Sequence, residues 1–182
     1  MEEIVVLVDK QNRVLGTAPK LETHNSNTPL HRGFSVFLFN KKGELLLQQR
    51  SRTKKTFPLV WSNSCCGHPM LNESNVEAAK RKLSQELGIK NVEVYEIISD
   101  YTYKVSMNGI YENEICPILT CFTDKKPIAN KEEIENMRWI NWNKFQQEIK
   151  QRPGTYSVWC EEETKLLEKN EKFLKLYKQF TS

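Results

Sequence analysis

Short apolar runs separated by turn signals dominate the first two thirds of the chain, a pattern that predicts strands. Ile4–Val8 is continuously apolar and stops at Asp9-Lys10-Gln11-Asn12. Gly33–Phe39 and Glu44–Gln49 flank Asn40-Lys41-Lys42-Gly43, which reads as a β-hairpin closed by a glycine-containing turn. Val92–Val105 and Ile110–Phe122 are rich in β-branched and aromatic residues and flank Met107-Asn108-Gly109, so a second strand pair is expected there. Met137–Ile140 adds a short strand.

Helical periodicity is confined to three segments. Ser74-Asn75-Val76-Glu77 forms a capping box, and Gly88 stands where a C-cap glycine belongs. Between them Val76, Ala79, Leu83 and Leu87 form an apolar stripe, with Arg81, Lys82, Gln85 and Glu86 on the other faces. A second helix is expected over Trp142–Lys150, ended by Pro153-Gly154. A third runs from about Ser157 to Phe180, with Leu166, Leu167, Phe173, Leu174 and Tyr177 as its inner face. The sum is an α+β chain.

Composition narrows the class. The 182 residues suit one domain, and 38% apolar with 27% charged residues describes a soluble globular chain. The net charge of +4 is dispersed, without a like-charge block of the kind that binds nucleic acid. The apolar run near the N-terminus is too short for a signal peptide or a membrane span. Cys65, Cys66, Cys116, Cys121 and Cys160 are odd in number and irregularly spaced, so free thiols in a reducing, cytoplasmic compartment are expected.

Candidate chemistry gathers on a few residues. His24, His31 and His68 are the only histidines. His24 and His31 share a turn-rich stretch that lets both rings reach one point. Taken singly, each is read more readily as a surface or capping histidine. Glu112 and Glu114 alter that balance. They alternate on one face of a strand with apolar flanks, and buried acids need partners. Three imidazoles and two carboxylates make a set suited to Mn²⁺, Zn²⁺ or Fe²⁺.

A longer pattern begins at Gly67. Glu73, Arg81, Glu86, Gly88 and Ile89 follow at the spacing of the Nudix box, in "GHPMLNESNVEAAKRKLSQELGI". Lys82 and Gln85 stand where that box has glutamates. Two-metal hydrolysis needs an anionic cradle, so their loss argues for diphosphate binding without cleavage. The segments "LHRGFSVFLFN", "KKTFPLVWSNSCCGHP", "QELG", "GIYENEICP" and "YSVW" occur in the order and spacing of the type I isopentenyl-diphosphate Δ-isomerases. From about Val5 to the last helix, the chain closely resembles that branch of the Nudix superfamily.

The resemblance implies a Nudix fold: a mixed sheet between helices, with a core over about 30–145, completed by N- and C-terminal extensions within one domain (1–182) and an added C-terminal helix. It implies interconversion of isopentenyl and dimethylallyl diphosphate through a tertiary carbocation. By resemblance the acid–base groups are Cys66, Glu114 and Tyr103. Glu114 with Tyr103 is expected to deliver a proton and Cys66 to accept one. The resemblance places Mn²⁺ or Zn²⁺ on His24, His31, His68, Glu112 and Glu114. It places Mg²⁺, bound with the diphosphate, on Glu86 and the backbone carbonyl of Cys66. Lys20, Arg50 and Lys54 match phosphate-contacting positions, and Lys82 stands where the family has an arginine, without its bidentate fork. Trp159 matches the aromatic that closes on the isoprenoid, and Trp61 is a second candidate for the pocket wall. The implied partner is a small isoprenoid diphosphate, and a monomer is expected, with no nucleic acid and no membrane. Three rival readings are a Nudix hydrolase, a closed zinc module, and a hydrolase with Cys66 as nucleophile. The last two lack paired ligand spacings and a recognisable acyl-transfer signature.

Overall fold

The computed structural model describes residues 3–181. The expected domain limits, 1 and 182, lie outside them. In chain order the elements are β1 (Ile4–Val8), β2 (Val14–Pro19), α1 (Lys20–Thr23), β3 (His31–Arg32), β4 (Phe34–Phe39), β5 (Glu44–Arg50), β6 (Trp61–Ser62) and β7 (Cys65–Gly67). There follow α2 (Asn75–Leu87), β8 (Val94–Ile98), β9 (Thr102–Met107), β10 (Ile110–Ile115), β11 (Ile118–Phe122), β12 (Ile134–Asn141), α3 (Trp142–Gln151), α4 (Val158–Leu167) and α5 (Glu171–Phe180). One sheet has the order β2-β1-β3-β10-β9, and the other runs β12-β5-β4-β11-β8, with β6 on β5 and β7 on β4. Both mix parallel and antiparallel neighbours, giving the expected α+β class.

The larger sheet lies between helices because β4 and β5 are apolar on both faces. Phe34, Val36, Leu38 and Leu46 join Ala79, Leu83 and Leu87 of α2 in one cluster. Phe37, Phe39, Leu45 and Leu47 join Phe145, Trp159, Leu167 and Phe173 of α3–α5 in the other. Each buried leucine of this kind contributes roughly 2 kcal/mol of transfer free energy. The capping box at Ser74 forms as expected, and Gly88 takes the left-handed C-cap at φ 66°.

Several elements depart from the sequence expectation. The two long strands break at Ser99–Tyr101 and at Cys116–Pro117. As a result β9 and β10 pair in the smaller sheet while β8 and β11 pair in the larger. Pro117 has no amide hydrogen, which suits a crossing between sheets. The hairpin of β4 and β5 is splayed, touching only at Phe39–Leu45. Ser64 fills the gap: its hydroxyl accepts from Leu38 N (2.7 Å) and donates to Leu46 O (2.6 Å). β6 and β7 occupy the opened edges. The expected third helix is two helices, because the Asn170 side chain caps α5 at Phe173 N (3.0 Å). Leu167 and Phe173 are buried, whereas Leu166 and Leu174 are exposed, so these last two are not on the inner face. The final strand is longer than expected, and β2, α1 and β3 carry too little periodicity to be read in advance.

Candidate active site

The smaller sheet assembles a histidine–glutamate cluster. Glu112 and Glu114 alternate along β10 and face the same way, as strand geometry requires. His31 sits on β3, in register with Glu114. His24 is the C-cap residue of α1, and His68 follows the short β7. All five side chains are buried, and their ligand atoms lie within 4.8 Å of one another. The imidazole centroids are 4.9–5.6 Å apart. Gly33 makes room: a Cβ there would stand 2.0 Å from Glu114 Oε2.

Two histidines are aimed by the backbone. Nδ1 of His24 faces Lys20 O at 2.7 Å, and Nδ1 of His31 faces Pro29 O at 2.9 Å. A carbonyl only accepts, so each Nδ1 carries the hydrogen and each Nε2 presents a lone pair. Both Nε2 atoms are buried and without a hydrogen-bond partner, as is Glu112 Oε2, which stands 2.9 Å from His24 Nε2. Facing acceptors of this kind suit a divalent metal ion between them. His68 Nε2 lies 3.0 Å from Glu114 Oε1, and the Tyr103 hydroxyl donates to Oε2 at 3.1 Å.

The same pocket is lined by Cys66, Tyr103, Trp159, Lys20, Arg50, Lys54, Lys82 and Glu86. Burial pushes the Cys66 thiol up to about 12, so it stands as a thiol. It donates to Asn63 Oδ1 at 3.2 Å, and the Trp159 indole donates to the same oxygen at 3.2 Å. Trp159 is stacked on Tyr103 with centroids 5.6 Å apart. Trp61 is absent from the pocket lining and lies under the Arg138 guanidinium instead, 5.1 Å away.

The cationic end is internally compensated. Lys20 pairs with Glu3 at 2.8 Å, and Lys82 with Glu3 at 3.0 Å and Glu86 at 3.5 Å. Lys54 pairs closely with Glu133. Arg50 has its guanidinium on Thr56 O (2.9 Å) and Phe57 O (3.1 Å). Lys82 and Glu86 are buried although they flank the apolar stripe of α2, because β7 closes over them. Glu73 and Arg81 of the Nudix spacing are a structural pair at 2.7 Å that also ties Arg81 to His68 O (3.1 Å). Sequence reasoning missed Glu133, Gln48, Thr56, Ser35, Asn63 and Glu3. Asn63 adjoins "SCCGHP" and could have been suspected. Glu133 sits in Lys131-Glu132-Glu133, which is indistinguishable from a solvated turn.

Solved structures with this fold include DR0079 from Deinococcus radiodurans (TM-score 0.71, 19% identity, covering 90% of this chain and 98% of that one). A MutT protein from Methanosarcina mazei Go1 superposes with a TM-score of 0.61 at 18% identity, over 78% of this chain and 97% of that one. Sequence relatives are closer. The isopentenyl-diphosphate Delta-isomerase of Saccharopolyspora erythraea is 40% identical over 164 residues, covering 90% of this chain and 84% of that protein. The enzyme of that name from Salmonella typhi is 38% identical, over 87% of this chain and 88% of its own length. No helix among the described residues is long and apolar enough to cross a membrane. Residues 29–160 match the NUDIX domain, and by that match and these relatives the chain belongs to the isopentenyl-diphosphate Delta-isomerase family.

Proposed function

We propose that the protein is an isomerase interconverting isopentenyl and dimethylallyl diphosphate, with Cys66 and Glu114–Tyr103 as its two acid–base arms. The observation that carries this reading is that one pocket is lined by both arms, by Trp159 and by four cations, Lys20, Arg50, Lys54 and Lys82. A proton is added to the terminal alkene carbon and another leaves the methylene beside the alkene, so the formula is unchanged and a tertiary cation lies between. The cations hold the diphosphate at one end. The Trp159 ring stabilises the cation without supplying a nucleophile. Asn63 directs both the thiol and the indole.

His24, His31, His68, Glu112 and Glu114 would hold Mn²⁺ or Zn²⁺, and Glu86 with the Cys66 carbonyl would hold Mg²⁺ beside the diphosphate. These ions supply fixed positive charge that keeps Glu114 oriented and screens the phosphates. With Glu114 and Tyr103 as donor and Cys66 as acceptor, forward turnover starts from a thiolate and a protonated carboxyl–tyrosine arm. Burial holds the Cys66 arm as a thiol in the isolated protein, so that arm must lose its proton before forward turnover. The N-terminal segment (Lys20, His24) and the C-terminal one (Trp159) complete a site built on the Nudix core, so the chain works as one domain, and as a monomer.

The deciding experiment is incubation of the purified protein with isopentenyl diphosphate and Mg²⁺, with products identified by NMR. Dimethylallyl diphosphate without released phosphate is expected. Phosphate release would favour hydrolysis instead, against the loss of two box glutamates at Lys82 and Gln85. Prolonged chelation is expected to abolish turnover, and Mn²⁺ or Zn²⁺ to restore it.

A further inference from the structure

The run Glu161-Glu162-Glu163 on α4 reads as a solvated acidic turn of helix, yet its three carboxyl groups have different fates. Glu161 accepts from Gly154 N (2.9 Å) and Tyr156 N (3.1 Å) and fastens the preceding loop. Glu162 accepts from the Tyr101 hydroxyl at 2.7 Å near the surface. Glu163 points inward. It is 0% exposed, and its Oε2 has no hydrogen-bond partner. Its Oε1 accepts from the Cys116 thiol at 3.7 Å. Cys116 Sγ is 3.5 Å from Ser35 Oγ, and Ser35 Oγ is 3.6 Å from Cys66 Sγ. Ser35 and Cys66 are cross-strand partners on β4 and β7, so this last contact is set by sheet register. A chain of polar side chains thus runs from the bottom of the pocket to a buried carboxyl group behind it.

The setting keeps that carboxyl neutral. The titratable groups that face it are Cys116, Glu114, Glu162, Cys66, Cys160 and Tyr101, none of them cationic. An ionised carboxylate without a counter-charge is too costly to bury, so the group holds its proton. A leucine would fill this place in the helix face at lower cost, so a polar role is called for. Glu163 lies one helical turn after Trp159, so α4 turns both side chains to the same side. Trp159 reaches the Cys66 thiol through Asn63. Glu163 reaches it from the other side, through Cys116 and Ser35.

We propose that Glu163 is a positioning residue for the Cys66 thiol, acting through Cys116 and Ser35. The proposal rests on the reading of Cys66 as an acid–base group. Thiol and hydroxyl rotors carry one hydrogen each, and their sense along a chain is free unless one end fixes it. The carboxyl group takes the Cys116 hydrogen, which leaves Ser35 to orient against Cys66, while Asn63 takes the Cys66 hydrogen. Proton transfer to or from carbon depends steeply on alignment, so the loss appears in kcat and leaves substrate binding alone.

Steady-state kinetics on the full-length, metal-loaded protein tests this, with metal content and thermal melting measured on each variant. Glu163→Leu is expected to lower kcat about 30-fold with KM within about twofold. Glu163→Gln, which keeps a neutral hydrogen-bonding head, is expected to recover kcat to within about threefold of the parent. Ser35→Ala is expected to lose about as much as Glu163→Leu, and the double variant no more than either alone, because both cut one chain. Wild-type kcat in Glu163→Leu overturns the proposal. So does a Glu163→Gln variant as poor as Glu163→Leu, or losses that multiply in the double variant. If Glu163→Leu does not fold, Ser35→Ala decides, and wild-type kcat there overturns the chain. Full activity in Cys66→Ala would instead defeat the acid–base reading itself, whatever the Glu163 variants do.

Discussion

The two ends of the pocket are both dense in charge, but they are prepared differently. At the histidine–glutamate end the ring nitrogens are aimed by backbone carbonyls, and several inward-facing atoms are left without partners. The protein holds that geometry ready, with the cost of ordering met at folding. At the lysine end each of the four cations already has a partner within the protein: Glu3, Glu86, Glu133, or the carbonyls of Thr56 and Phe57. On the reading proposed above, an incoming diphosphate has to replace these contacts, so part of its binding energy is offset. Changes at the first end should therefore strike the chemistry, and changes at the second should strike affinity.

The largest effects are expected at the two proposed acid–base arms. Cys66→Ala and Glu114→Gln should each lower kcat by about a thousandfold or more in the dimethylallyl diphosphate assay. They should part company in metal analysis, since only Glu114→Gln removes a ligand of the histidine cluster. Equal metal loss in both would erase the distinction between the two arms. Next comes Gly33→Ala, whose new methyl would collide with the Glu114 carboxylate. A drop of about a hundredfold in kcat is expected, because small displacements of a reacting group are costly. Lys82→Met should mainly raise KM, by about tenfold, equivalent to about 1.4 kcal/mol. Raised salt should increase KM more in the parent than in this variant. A kcat collapse in Lys82→Met would show that the cationic end takes part in the chemistry. Smallest of all, Cys65→Ala should leave kcat within about twofold and cost about 1–2 kcal/mol in thermal or denaturant unfolding, as a small core cavity does.

Much of the site was legible before the fold was known. Glu112 and Glu114 share one face because strand alternation is a local rule, and β10 obeys it. The capping box at Ser74 and the cap at Gly88 depend on neighbours within a few residues, and both formed. The elements that went astray depended on distant partners. Nothing local tells that Ile110–Phe122 changes sheet at Pro117, or that the apolar pattern from Ser157 to Phe180 contains a fresh helix start at Asn170. Trp61 leaves the pocket wall for the same reason: its place under Arg138 depends on β12, far along the chain. Glu133 and Glu163 carried no signal, because an acid in an acidic run looks solvated until packing buries it.

The adjacent thiols of "SCCGHP" divide the credit. The sequence by itself determined the kinds of residue present, the alternation of strand side chains, the spacing of the Nudix pattern and the loss of two of its carboxylates. Those follow from covalent geometry and residue chemistry, which act within a few positions. Resemblance picks Cys66 over Cys65, and only the tertiary structure gives the physical reason that Cys66 meets the pocket. β7 pairs with β4, so Cys65 turns into the α2 core while Cys66 turns toward Ser35, Asn63 and the lining of the site. That outcome rests on which face of a sheet each helix covers, and it is set by contacts between segments far apart in the chain.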